Sequence, residues 1–515
     1  MSTPSQWLVA NKSVTNLERG VLTRVFYVKD TRGRYISCPR PTITHTQALN
    51  GFRRALVKTF VAAPTLALEE IPGLYVGRKR GVYQRAVDSF LGKPLNLRDA
   101  EIAAHTKSEK INISIGTKSL ASCVDQLQQK DPRVIQARTP RYNAVLAKYL
   151  KTNEHRFFQA INRVFQKFNR DTYRGPRIPT VMKGLNATQQ GVAIASAWET
   201  FVDPVGIRVD ASRFDQHCSG LVLEFEHSCY IQALCDYLSP TQASELRWLL
   251  RQQLRNKCYG RCPDGVIRYI AEGRMSGDMN TGLGNVIIMC ALMYGFFQQI
   301  RAAISLAHPG KPAQLVLINN GDDCCMIIER EFLPFLTDPL ESYFLSYGFE
   351  MTVEGFAHRL EEVKFCQSHP IWTPEGYRMV RTMPMCFAKD AINLGAVKTQ
   401  TDYDKWRSAI SSCGLALTRG IPMAQAYYQC LGRGVSLERT VVYTTGMEFL
   451  AHGMTAGVDE IHPRTRVSVY WAFGITPDMQ LEVEQHYNNI DVSTYSPVAE
   501  TLHDGVCGVR QPVWV

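Results

Sequence analysis

Apolar and polar positions change rhythm three times along this chain. Between about residues 50 and 195 helical spacing alternates with Pro- and Gly-marked loops, and the stretch is basic and dotted with aromatics. VGRKRGVYQR (76–85), KSEKIN (107–112) and PRVIQARTPRYN (132–143) belong to it. From residue 200 the texture is mixed. GIRVDAS (206–212) reads as a short strand ending in an Asp, and HSCYIQALCDYL (227–238) as a helix. RYIAEGRMSGDMNTGLGN (268–285) predicts a strand, then a Gly-rich turn, then an apolar helix, VIIMCALMYGFF (286–297). QLVLINNGDDCCMIIE (314–329) places two apolar runs around a polar centre, a β-hairpin whose turn is longer than the two-residue minimum. Beyond 370 helical pieces alternate with Pro and Gly. No repeat or Gly/Ser linker divides the chain, so domain boundaries are soft.

The apolar run 286–297 has 12 residues, short of the ~18–20 of a spanning helix, and predicts a buried helix. The opening MSTPSQWLVANKS has no apolar signal region, so no secretory leader and no transmembrane segment are expected. With 45% hydrophobic and 20% charged residues among 515, disorder, collagen and coiled coil are excluded for the whole. The 15 cysteines form no framework, which favours a reducing cytosol. Charge is uneven: residues 1–200 carry 32 Lys and Arg against 13 Asp and Glu, and residues 201–515 carry 26 against 34. The basic portion suits a polyanion such as nucleic acid.

Candidate chemistry begins at Gly321-Asp322-Asp323. Such a triplet arises by chance in roughly one chain in ten of this length, so alone it is only a turn. Asp210 adds weight, because it ends a strand and is followed by Asp215 in VDASRFDQH. If that strand pairs with the hairpin, Asp210 and Asp322 face each other. Carboxylates brought together repel unless a cation sits between them, and hard oxygen ligands favour magnesium. Two such ions suit phosphoryl transfer. Ser276-Gly277 and the pair Thr281/Asn285 form a third piece. The pair lies at i and i+4, on one face if a helix begins there, and both side chains can bond a hydroxyl. Cys258 and Cys262 have no partner pair and argue little for zinc.

D-x-x-x-x-D, then SG…T-x-x-x-N, then GDD follow in order. These segments resemble motifs A, B and C of viral RNA-dependent RNA polymerases. SRFDQH, SGDMNT-x-LGN, EEVKFCQ (361–367), EKIN, PRVIQARTPRYN, TVMKGLNATQQG (180–191) and GLALTRGIP (414–422) narrow the resemblance to the tombusvirus-like plant viruses, with carmovirus and umbravirus relatives. The resemblance covers about residues 70 to 430.

The resemblance implies an α+β right-hand fold with fingers, a palm of antiparallel sheet plus helices, and a mostly helical thumb. Expected boundaries are an N-terminal extension of unknown role (1–50), fingers with motif F (51–200), a palm with an inserted fingers segment and motifs A to E (201–370), and a thumb with the C-terminal region (371–515). It implies that Asp210 and Asp322, with Asp323 close by, coordinate two Mg2+ ions, Mn2+ being able to substitute. Asp215 and Asn285, helped by Ser276 and Thr281, would select ribose, since a site built to bond a hydroxyl rejects the analogue lacking it. Lys107, Lys110, Arg133, Arg138 and Arg141 resemble motif F, where cations neutralise a triphosphate or contact RNA. Lys183 and Gly277 are expected at the RNA template. Phe365, Cys366 and Gln367 resemble motif E near the primer end, with Cys366 read as a small buried residue.

One departure concerns the general acid. Several related polymerases carry a Lys in motif D, but here none follows Gly348-Phe349-Glu350-Met351 until Lys364, leaving His358, Arg359 or Lys364 for the role. The resemblance further implies template and nascent RNA and NTPs as partners, and an auxiliary viral replication protein that brings the chain to host membranes. The expected location is host cytoplasm, at membrane-bound replication complexes. A reverse transcriptase, which would prefer deoxynucleotides, a non-catalytic RNA-binding protein and a two-metal nuclease are the rival classes. Loss of product with binding intact on Asp322→Ala separates the polymerase from the binding protein.

Overall fold

The computed structural model describes residues 5–30, 32–109, 111–114, 131–170, 175, 177–311, 313–392, 397–438, 446–494, 501–503 and 506–509. Helices and mainly antiparallel sheets are interspersed along it, an α+β arrangement.

A four-stranded sheet holds the centre, in the order Val316–Asn319, Cys324–Glu329, Pro204–Ala211, Met351–Ala357, each pair antiparallel. Side chains alternate between its faces. Val205, Ile207, Val209, Ala211, Cys324, Met326 and Ile328 enter one core, while Val316, Ile318, Cys325 and Ile327 enter another. A strand buried on both faces needs apolar residues at every position, which is why CCMII reads as an unbroken run.

The first core is built around the helix Thr281–Ala307, with Glu154–Phe168, Gly220–Leu234 and Leu333–Ser346 against it. This central helix has 27 residues, more than twice the apolar run that announced it. By length and composition it could cross a membrane, yet most of its apolar stretch is buried inside the fold, as expected of a core helix. The second core holds Ala187–Trp198, Gln400–Thr418 and Ala424–Gly432, part of a mostly helical C-terminal region.

A second sheet runs Val134–Arg138, Ile102–Thr106, Arg255–Cys262, Gly265–Glu272, with only the middle pair parallel. The N-terminal helix Val14–Val21 packs on it, Leu17 and Val21 meeting Ala104 and Val134. A third sheet sets Ser5–Ala10 between Ile111–Ser114 and Val506–Val509. The first 50 residues therefore share a core and a sheet with the basic segment, and strands from both ends of the chain meet.

Candidate active site

Two strand ends bring the carboxylates together. Cys324 pairs with Val209, and the same antiparallel register carried one residue on sets Asp323 across from Asp210. The Asn320 N–H bonds the Asp323 carbonyl at 2.9 Å, so the ladder continues past Asn319. The connection narrows to Gly321-Asp322, tighter than the sequence suggested. Gly321 has φ of 101°, a conformation that costs glycine little. Burial raises the Asp210 carboxyl above the usual range, and the charges of Glu354 and Asp322 add to the effect. Asp323 is likewise raised, by burial and then by Asp322, with Lys183 partly offsetting it. Among the described residues no three His, Cys, Asp or Glu side chains converge on one point. The acids are near enough to repel and supply only hard oxygen donors, and that donor set fits a small divalent cation.

Two cavities flank this point. The larger, about 940 Å³, is lined by Asp210, Asp323, Lys107, Arg133, Lys364 and Phe365 to Gln367, among others. The smaller, about 320 Å³, is lined by Asp215, Asp322, Ser276, Arg274, Arg213 and Arg24, and shares Lys107 and Arg133 with the first. Both shared cations meet Glu109, Lys107 at 2.6 Å and Arg133 at 3.1 Å. Exposed pairs of this kind are weak and can be exchanged for a phosphate.

Asp215 accepts a hydrogen bond from Asn285 Nδ2 at 2.9 Å. Burial raises its carboxyl, while Asn285 and Arg274 pull it back. Asn285 Oδ1 is buried and has no hydrogen-bond partner among the described residues. Thr281 begins the central helix, which meets the condition for Thr281 and Asn285 to share a face, and its hydroxyl donates to the Met275 carbonyl at 3.0 Å. The Ser276 hydroxyl donates to the Val134 carbonyl at 3.0 Å. Each hydroxyl keeps an acceptor lone pair.

Phe365 and Ser368 exchange two 2.9 Å backbone bonds, which makes Cys366-Gln367 the centre of a two-residue hairpin turn. Both residues lie in the left-handed region, at φ of 48° and 58°. The turn aims Cys366 Sγ at Asp323 Oδ2, 3.6 Å away. Burial and Asp323 push the thiol up to about 12, so it remains a donor.

Several predicted residues stand elsewhere. Arg138 is 4% exposed and is consumed by the fold. It meets Asp278 at 2.6 Å, the Ala100 carbonyl at 2.5 Å and Asn256. Its donors are spent on buried acceptors, so it is not available to a nucleotide. Arg141 is likewise held, by Asp99 at 3.0 Å and by the carbonyls of Lys93 and Pro94. Gly277 is a packing position, because a Cβ there would meet the Gln136 carbonyl oxygen at 2.7 Å. Lys183 sits at the carboxylate turn, its Nζ 3.7 Å from where a Gly321 Cβ would be. Its segment bridges to Asn319 through Val181. His358 is bonded to Arg330 at 2.6 Å, and neighbouring Ala357 pairs with Gly206, toward the other end of the strand from Asp210. Arg359 lies over the Trp471 ring. Lys110 lies outside the described residues.

Arg24 and Arg213 are the cations that motif reading missed. Arg213 bonds the Thr23 carbonyl and meets Asp131 at 3.2 Å. Burial and Arg213 lower the Arg24 guanidinium. Arg213 lies between Asp210 and Asp215 in the quoted motif, so its position was a usable signal. Nothing in the sequence linked Arg24 to it.

Carboxylates at strand ends under a cation-lined opening are what a nucleotide-polymerising enzyme requires. A family model described as viral RNA dependent RNA polymerase matches residues 1–495, and the chain belongs to that family. It is 37% identical over 514 residues to the RNA-directed RNA polymerase of tobacco necrosis virus (strain A), covering 97% of this chain and 65% of that protein. Against the RNA-directed RNA polymerase of turnip crinkle virus it is 34% identical over 495 residues, covering 94% and 58%. Against that of tomato bushy stunt virus (strain Cherry) it is 34% identical over 507 residues, covering 97% and 57%. The chain thus spans 57–65% of the length of these three relatives.

Proposed function

We propose that this chain synthesises RNA from ribonucleoside triphosphates on an RNA template, replicating the genome of a positive-strand plant RNA virus. The observation that carries the reading is Asp210 set across from Asp323 at adjoining strand ends, with Asp322 in the turn beside them, between two cavities that share Lys107 and Arg133. In this reading the central sheet is the palm, the basic N-terminal half with its second sheet forms the fingers, and the C-terminal helices form the thumb.

Asp210 and Asp322 would hold two Mg2+ ions, with Asp323 as a neighbouring ligand and Mn2+ as a substitute. Such a pair, when bound, supplies activation of the attacking 3′-hydroxyl and neutralises charge on the leaving oxygen. The chain's own groups do the rest. Lys107, Arg133, Arg24 and Arg213 bind the triphosphate, Arg133 able to grip two oxygens at once. Asp215 orients Asn285, whose free Oδ1 accepts the ribose 2′-hydroxyl. Lys364 would protonate the pyrophosphate leaving group, a role supported by its lining of the larger cavity and by the contacts of His358 with Arg330 and of Arg359 with Trp471. The hairpin Phe365 to Ser368 would support the primer end. The long apolar helix is mostly buried in the fold, and in this reading an auxiliary viral protein would bring the chain to membrane-bound replication complexes in the host cytoplasm.

The test is template-directed incorporation of labelled ribonucleotide by the purified chain on single-stranded RNA with Mg2+ or Mn2+, beside Asp322→Ala. Template-dependent product that vanishes in the variant is expected. Equal product from both proteins would reveal a contaminating enzyme and remove the site assignment.

A further inference from the structure

A third cavity lies away from the carboxylates. It encloses about 430 Å³ between the end of the helix Glu154–Phe168, the segment 177–180 and the start of the strand Val316–Asn319. That strand leads from the cavity to the Asp322 turn, so the two are separated by about 15 Å of extended chain. Four cations line it: Arg163, Lys167, Arg170 and Arg177, all exposed. No Asp or Glu is among its described lining residues. Lys167, Arg170 and Arg177 form no ion pair with any described acid, in contrast to Lys107 and Arg133. Arg163 spends one N–H on the Thr59 carbonyl at 3.0 Å.

Sequence spacing produces the arrangement. Arg163 and Lys167 stand at i and i+4 on one side of an amphipathic helix whose other side, Phe157 to Phe165, is in the core, and Arg170 follows in the turn just past the helix end. The floor is firmly built. Asn169 donates to the Leu315 carbonyl at 2.8 Å and accepts from Arg301 at 2.9 Å, while Arg301 lies 3.6 Å over the Phe168 ring. Like charges that no described acid offsets repel one another, and a multivalent anion relieves that repulsion.

We propose that this cleft is a second RNA-binding groove, which takes the phosphodiester backbone of a single strand independently of the carboxylate site. The lining favours RNA over a lipid surface, because the site is concave and, of its large apolar residues, Phe165, Val316 and Leu317 are buried and only Ile178 is part-exposed, too little to insert into a bilayer. A groove of cations follows a backbone without reading bases. The choice of RNA as occupant rests on the polymerase reading.

The experiment replaces Lys167, Arg170 and Arg177 together by Gln in the full chain, with the thermal midpoint as a check of folding. Binding of a single-stranded RNA of about 30 nucleotides is compared with that of one of about 8, across a salt series. The long RNA is expected to bind about 10- to 100-fold more weakly to the variant, and the slope of log affinity against log salt to fall by about 2, for three lost phosphate contacts. Binding and extension of the short RNA should not change. Equal affinity and equal slope for both proteins would overturn the proposal. So would a loss seen only with phosphatidylserine vesicles, which would make the ligand a lipid headgroup. If neither protein makes product while the long-RNA result is as expected, the polymerase reading fails and the groove stands.

Discussion

Asn285 and Arg138 show how much one side chain's surroundings decide. Asn285 is buried with one arm bonded to Asp215 and the other without a partner among the described residues, and the proposed reading gives that arm the ribose hydroxyl. Asn285→Ala should lower the preference for ribonucleotide over deoxynucleotide about 10- to 100-fold, the worth of one buried hydrogen bond. Comparing kcat/KM for CTP and dCTP checks this, and an unchanged ratio would remove Asn285 from ribose selection. Arg138, by contrast, holds Asp278 inside the fold. Arg138→Met leaves that carboxylate buried without its partner, at a cost of ~3–5 kcal/mol in unfolding free energy. Arg133→Met, on an exposed side chain, should change stability by less than ~0.5 kcal/mol and raise the KM for nucleotide instead. Urea titration beside steady-state kinetics separates the two arginines.

At the scale of elements, the turns carry the strain. Hairpins with two left-handed central residues ordinarily use Asn-Gly, yet here they are Cys366-Gln367. Gln367→Gly should therefore raise stability by about 1 kcal/mol, read from the denaturant midpoint, and Gln367→Val should lower it. If primer extension also falls in the Gly variant, the rigid turn serves the reaction. The helix Gly220–Leu234 carries a second device. Burial lowers His227 from 6.5 to about 4, and its ring bonds Gln253 at 3.2 Å. The unfolded chain binds a proton on this residue below pH 6.5, while the folded chain does not until about pH 4. The native state therefore loses up to ~3 kcal/mol as pH falls through that window. His227→Gln should flatten the stability profile between these limits. A profile as steep as that of the parent would assign acid sensitivity to other groups.

Across the whole molecule, charge is divided by position. The basic first 200 residues supply Arg24, Lys107 and Arg133 to the cavities and Arg163, Lys167, Arg170 and Arg177 to the separate groove. The carboxylates come from residues 210 to 323. RNA binding should accordingly weaken steeply with salt in the full chain. It should remain salt-dependent in Asp322→Ala, because that variant removes no cation.

The sequence by itself determined the local elements and the order of the chemistry. Alternation in GIRVDAS, the two apolar runs around GDD and the apolar helix after SGDMNT are properties of neighbouring residues; the strands formed close to where they were read, and the helix extends beyond its apolar run at both ends. That these two strands pair was legible for the same reason, but the register sets Asp323 across from Asp210 and leaves Asp322, the residue expected there, in the turn. Tertiary structure alone decided which cations are free. Arg133 and Arg138 lie five residues apart and look alike in sequence, but only Arg138 meets a buried acid, 140 positions away. Arg24 joins Arg213 because an N-terminal helix packs on a distant sheet. The Gly-Asp turn tightened because the ladder ran one residue past the strands, a matter of register between segments. Periodicity records what a residue's neighbours in sequence do. The charge state and availability of a side chain depend on neighbours in space, and those were set only when the chain closed on itself.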